Sequence, residues 1–215
     1  MQEKSSGEKE LWIIRHGETD FNRSNIIQGS GIDSDLNENG MLQSQLFFSA
    51  YAEEKFDHIF ISELKRTQQT IQPFIDVGFP FSKHAELNEL SWGEFEGVPI
   101  EDHVKEIFFG ILTEWKSGNT HVAPRNGDSP ESLQEKQKRF LNLIDQYKGE
   151  KFLICLHGRA LRIFLCTLLG KNLSEMETFP HQNLSLSKIT GTSGKYHAEI
   201  LNDISHLQPQ YDTTN

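Results

Sequence analysis

Two short apolar runs end on the same pair of residues. "LWIIR" at 11–15 is followed by His16 and Gly17, and "FLICL" at 152–156 by His157 and Gly158. Both runs read as central strands of a sheet covered on both sides. In open α/β sheets, ligands bind beyond the carboxyl ends of the strands. This pattern predicts two imidazoles, distant in sequence, side by side at one edge of a sheet. The glycine after each lets backbone approach a ligand closely. Arg15 ends the first run, and Arg66 lies just inside the helix after a further strand, "FIS". One such histidine is an ordinary strand end. Several basic groups at equivalent strand ends are the makings of a site.

The rest of the chain alternates as such a site requires. "DHIFIS" (57–62) reads as another strand, and "ELKRTQQTIQPFI" as a helix that Pro73 should end or bend. Asn37 is a fitting cap for a helix whose period is kept by Leu42, Leu46, Ser49 and Ala50. "RALRIFLCTLLG" reads as a helix closed by Gly170. "LSLSKIT" and "KYHAEILN" flank "GTSG" as a hairpin. The expected fold is an α/β three-layer sandwich. Its central sheet is mainly parallel, with helices on both faces and an antiparallel C-terminal hairpin. Residues 1–9 are expected to be frayed and 10–207 to form a single domain. An insertion outside the core occupies about 95–130, and 208–215 form a tail.

Composition narrows the partners. With 36% hydrophobic residues, 15 Phe and 3 Trp, the 215-residue chain can bury a sizeable core. A net charge of −10 argues against nucleic acid or an anionic membrane as partner. Cys155 and Cys166 lie in apolar runs and read as buried free thiols. No apolar run reaches the ~18 residues of a membrane span. The charged start "MQEKSSGEKE" lacks a signal peptide's apolar stretch, so the cytoplasm is the simplest location. A homodimer is left open.

The ordered motifs are specific as a set. "RHGETDFN" (15–22), "NIIQGSGIDSDLNENG" (25–40), "ISELKRTQQT" (61–70), "ELNELSWGEFEG" (86–97) and "LICLHGRALRIFLCTLLG" (153–170) resemble the histidine phosphatase superfamily, the phosphoglycerate-mutase-like proteins. The resemblance implies that His16 is a nucleophile forming a phosphohistidine. Physical chemistry agrees. Imidazole attacks phosphorus only with a free lone pair, and positive charge from Arg15, Arg66 and His157 disfavours the imidazolium. The same charges suit a phosphoryl group's equatorial oxygens, with arginine able to bond two at once. His157 would donate a hydrogen bond to the phosphoryl group. Asn22, Gln28 and the backbone near Gly29 and Gly158 would complete the cradle. Glu89 matches the family's proton donor, with Glu86, Glu94 and Glu96 as near neighbours in sequence. Glu18 and Asp20 could cap a helix after the first motif. No metal or cofactor is implied.

Mutases of this family carry an arginine directly after the acid and paired arginines in a longer insertion. Here Leu90 follows Glu89, and the only Lys or Arg residues between 98 and 130 are Lys105, Lys116 and Arg125. The expected activity is therefore hydrolysis of a small phosphomonoester, fructose bisphosphate and α-ribazole phosphate among the candidates. A cofactor-dependent phosphoglycerate mutase is the alternative. A catalytically dead binding module is the other, disfavoured because Arg15, His16, Arg66, Glu89 and His157 are all present. Val104, Ile107, Phe108, Ile111, Leu112 and Trp115 form a helical stripe within 98–115. It either packs on the domain or lines the pocket as a lid, which would favour substrates with an apolar body. Glu63 and the "NGDSPES" turn, which holds Glu131, depart from the family pattern.

Overall fold

The computed structural model describes residues 7–100 and 102–208, apart from the side chains of 102 and 103. Residues 1–6 of the expected frayed start and 209–215 of the expected tail lie outside it. Six strands form one sheet: β1 (Lys9–Arg15), β2 (His58–Ile61), β3 (Phe81–Lys83), β4 (Lys151–Leu156), β5 (Leu186–Thr192) and β6 (Lys195–Asp203). Their order is β3-β2-β4-β1-β5-β6. β1, β2, β3 and β4 are mutually parallel, whereas β5 and β6 run antiparallel as the C-terminal hairpin. β1 begins at Lys9, inside the stretch expected to fray. Lys9 is buried, and its ammonium donates to the carbonyls of Tyr147 (2.9 Å) and Gly149 (2.5 Å).

Strand alternation sorts the core into two layers. Leu11, Ile13, Phe152 and Ile154 share one cluster with buried residues of α4 (Asp102–Lys116), α5 (Pro130–Gln146) and α6 (Gly158–Leu168). Trp12, Ile14, Leu153 and Cys155 face α2 (Glu38–Tyr51) and α3 (Lys65–Asp76), which supply Phe47, Ile71 and Phe74. The sheet is thus sandwiched between helices, as expected. Cys155 and Cys166 are buried free thiols in different layers. Among the described residues, no helix is long and apolar enough to cross a membrane.

The structure differs from the sequence reading at four points. α2 turns Gly40, Ser44 and Phe47 inward, not the row of Leu42, Leu46, Ser49 and Ala50; Leu42 is exposed. A small glycine and serine let α2 sit close to its neighbours, so side-chain hydrophobicity alone misplaced the face. Of the two outcomes expected of Pro73, it does not end α3, which continues to Asp76. The missing N–H frees the Gln69 carbonyl, and the Ser44 hydroxyl lies 3.5 Å from it. β3 was not foreseen, because three residues, "FSK", carry no readable period. Finally, part of segment 95–130 belongs to the core. Phe95, Val104, Phe108 and Trp115 are buried, with Trp92 lying 4.9 Å from Phe108 and 5.3 Å from Trp115, ring centre to ring centre. Ile107 departs from the stripe and is 59% exposed.

One close approach positions the first histidine. The backbone at Gly17 packs directly on Gly40 at the start of α2. A Cβ on Gly17 would stand 2.7 Å from the Gly40 carbonyl oxygen, and one on Gly40 would collide with the Glu18 carbonyl. Both obstacles are backbone and cannot swing away. Gly40→Ala should therefore destabilise the fold by about 1–3 kcal/mol, the usual cost of overpacking. Urea unfolding checks this; an unchanged midpoint would show that the loop and α2 are not in tight contact.

Candidate active site

A cavity of about 340 Å³ lies at the carboxyl ends of β1 and β4. Arg15, Asn22, Gln28, Glu89 and Gly158 line it. His16, Arg66 and His157 lie beside it in the buried interior and are not on its lining.

His16 follows β1 directly. Its Nδ1 lies 2.7 Å from the Gly17 carbonyl oxygen. A carbonyl only accepts, so Nδ1 carries the proton and Nε2 keeps the lone pair. Burial, then Arg66 and Arg15, hold the imidazolium form of His16 well below the usual range, against a smaller opposing effect from the Gly17 carbonyl. The Gly17 N–H donates to Thr70 Oγ1 at 2.9 Å, tying the loop to α3.

Arg66 sits in the first turn of α3 and is 0% exposed. Its guanidinium donates to the carbonyls of Ile32 (2.6 Å) and Gly29 (3.2 Å) and, from Nε, to His157 Nδ1 (3.1 Å). Three of its five N–H donors are thus committed, and two remain. Arg15 donates from Nη1 to the His181 carbonyl at 2.9 Å, while its buried Nε has no partner. Burial lowers Arg15 and Arg66 to about 10, still cationic at neutral pH.

His157 caps α6. Its ring centre is 5.1 Å from that of His16. Nδ1 accepts from an arginine, so the proton is on Nε2, which donates to Ser62 Oγ at 2.8 Å. The proton expected to meet a phosphoryl oxygen therefore faces Ser62 instead. Burial, then Arg66, His16 and Arg15, keep His157 neutral well below the usual histidine range.

Glu89 is 7% exposed. Oε1 accepts the N–H groups of Leu90 (2.8 Å) and Ala160 (2.9 Å), and Oε2 accepts that of Arg159 (3.0 Å). The carboxylate thus closes the amino end of α6. An oxygen has two acceptor positions, so Oε1 is filled while Oε2 keeps one free. Of the four neighbouring glutamates, Glu89 alone lines this cavity. Glu94 is exposed, Glu86 lines a different cavity, and Glu96 accepts from Ser91 Oγ and the Trp92 N–H.

The outer shell is mutually bonded. Asn22 Oδ1 accepts from the Thr19 N–H (3.3 Å) and from Asn183 Nδ2 (3.2 Å); Gln28 accepts from Thr19 Oγ1 (3.0 Å) and donates to Ser34. Thr19, not Glu18 or Asp20, caps the short helix α1 (Asp20–Arg23). Glu18 instead accepts from Asn37 Nδ2 at 2.8 Å. Glu131 accepts from Thr120 Oγ1, and Glu63 pairs with Asn88, both away from the cavity. Sequence reasoning missed Ser62, Arg159, His181 and Asn183. Asn183 donates to the His16 carbonyl at 2.9 Å. The ring of His181 packs against Gly158, where a Cβ would come within 2.7 Å of it. Burial and then Arg15, Arg162 and Arg159 lower His181 to about 2.

The family model of the histidine phosphatase superfamily (branch 1) matches residues 11–204, so the chain belongs to that superfamily. A Hydrogenobacter thermophilus protein named "Putative phosphoserine phosphatase 2" is 28% identical, over 93% of this chain and 98% of its own. A Yersinia pestis protein named "Probable phosphoglycerate mutase GpmB" is 30% identical, over 92% and 94%. Among solved structures, a variant of Entamoeba histolytica phosphoserine phosphatase in complex with phosphoserine superposes with a TM-score of 0.80. It is 25% identical and covers 93% of this chain and 100% of its own.

Several of these histidines make stability pH-dependent. His16, His157 and His181 fold with values below the unfolded 6.5. Below that pH the unfolded chain binds more protons. Their contribution is fully present above about pH 6.5 and is lost as the pH falls further. Urea midpoints should drop clearly between ~pH 7.5 and ~pH 5.5, before most carboxylates titrate. A flat profile would show that these imidazoles are not held neutral.

Proposed function

We propose that the protein hydrolyses small phosphomonoesters in two steps through a phosphohistidine on His16. The observation that carries this is the Nδ1–H bond to the Gly17 carbonyl, which leaves the Nε2 lone pair free in a buried, arginine-flanked site. In the first step Nε2 attacks phosphorus, the Nε2–P bond forms and the ester P–O bond breaks. The departing alkoxide takes a proton from Glu89, delivered from Oε2, the oxygen with a free position. In the second step Glu89 takes a proton from water, whose oxygen attacks phosphorus; the P–O bond forms, the Nε2–P bond breaks, and inorganic phosphate leaves a neutral His16. Arg15 Nε and the two uncommitted donors of Arg66 meet the phosphoryl oxygens, where transition-state charge collects. His157 acts as a positioning residue, accepting from Arg66 Nε and so fixing the plane of that guanidinium. Phosphatase names among the relatives support hydrolysis.

Mutase activity is the second reading, favoured by the relative named for it. Leu90 and the sparse cations of 98–130 weigh against it. The cavity also has an apolar wall that includes Trp92, Ile100 and Phe108. The stripe of α4 therefore both packs on the domain and, through Phe108, lines the pocket. Arginines supply the charge that a metal would otherwise bring, so turnover should persist in chelator.

A phosphomonoester panel with EDTA present tests the reading, with 3-phosphoglycerate included. The expected result is free phosphate and little 2-phosphoglycerate; efficient isomerisation primed by a bisphosphoglycerate would favour the mutase. In the same panel, Glu89→Gln should cost alkyl esters about 10²–10⁴-fold and spare an aryl ester's first step. A burst of nitrophenol followed by slow turnover is the expected trace. An amide cannot accept all three N–H bonds at this position, so the variant should also lose some stability. Equal losses for alkyl and aryl esters would deny Glu89 the proton-donor role.

A further inference from the structure

Arg159 is left over by the chemistry above. It follows Gly158 at the start of α6, and it lines the same cavity as Arg15 and Glu89. Its side chain is 9% exposed. The guanidinium carbon lies 5.3 Å from the ring centre of Trp115 and 5.8 Å from that of Trp92, within cation–π range. Nη1 bonds Glu177, whose other oxygen accepts from Arg162 Nη1 at 2.6 Å. Arg162 is further held by the Phe179 carbonyl, 2.9 Å from its Nε.

One carboxylate is thus shared between two guanidinia. Glu177 alone does not neutralise the two, and Arg159 is the member of the pair that lines the cavity. Glu177 occupies one of its N–H donors, and the indoles hold the group without using any. The fork is preorganised, and a carboxylate is its natural complement. Phe21, Ile100 and Phe108 add apolar lining to the same cavity, which suits the short carbon frame of such a ligand. A cavity of about 340 Å³ suits a compact ligand.

We propose that Arg159 is a specificity-determining residue that binds a carboxylate on the leaving group, so that the substrates are phosphate esters of small hydroxy acids or hydroxy amino acids. This rests on the phosphatase reading. Glu177 tunes the subsite by drawing off part of the charge of Arg159.

Binding and turnover separate the two claims. Calorimetry in a His16→Ala background should show 3-phosphoglycerate bound more tightly than glycerol 3-phosphate, which has a similar frame and no carboxylate. Adding Arg159→Met should cut that preference by roughly 10–100-fold, the range for hydrogen bonds to a charged group. Arg159→Lys, which keeps the charge and can still pair with Glu177, should recover part of it. Glu177→Gln should raise the preference. In the otherwise unchanged enzyme the same substitutions should move KM for the carboxylated ester more than kcat. A preference that survives Arg159→Met, or equal losses for both ligands, would overturn the proposal and leave Arg159 a structural clamp. Preference without any phosphate release from any ester would instead uphold the subsite and refute the phosphatase reading.

Discussion

The buried guanidinium of Arg66 is the constraint on which the rest of the site depends. A charge removed from water must be met by hydrogen bonds or it destabilises the fold. Arg66 is met by the carbonyls of Gly29 and Ile32 and by the imidazole of His157. That demand ties the 29–32 segment to the first turn of α3 and fixes the tautomer of His157. It also places a cation near enough to help keep His16 neutral. Glu96 supports the same segment from the other side. Its carboxylate occupies the space where side chains on Gly29 and Gly31 would lie, while holding the turn at Ser91 and Trp92.

The antiparallel strand completes what the parallel strands begin. β5 runs against β1, so the segment before β5 arrives at the edge where β1 and β4 end. His181 and Asn183 are delivered there, the first holding Arg15 through its carbonyl and the second holding the His16 backbone. α4 and the turn before it add an aromatic wall, and Arg159 faces the same space as the wall.

What was legible in the sequence follows from how local each signal is. The strand-end histidines, the three layers, the hairpin around "GTSG" and Gly170 beyond α6 each rest on a few consecutive residues, and each is present. Arg15, Glu89, Asn22, Gln28 and Gly158 line the cavity, and His16, Arg66 and His157 adjoin it. The inward face of α2 was misread because close packing there uses glycine and serine. The core role of α4 was underestimated because Trp92, its partner for both Phe108 and Trp115, lies in a separate stretch of chain. His181 and Asn183 carry no motif, since their place comes from the reversed direction of β5. The donor pattern of His157 could not be foreseen either. It is set by Arg66 and Ser62, more than 90 residues away.

The central claim is that Nε2 of His16 takes the phosphoryl group. Phosphoenzyme formed from an aryl phosphate can be trapped by rapid quench and mapped by peptide analysis, with phosphorus–nitrogen coupling in NMR identifying the bonded nitrogen. Acid-labile phosphate on His16, bonded through Nε2, is the predicted result. Phosphate on His157, attachment through Nδ1 of His16, or steady turnover with no acid-labile phosphoenzyme would contradict the account.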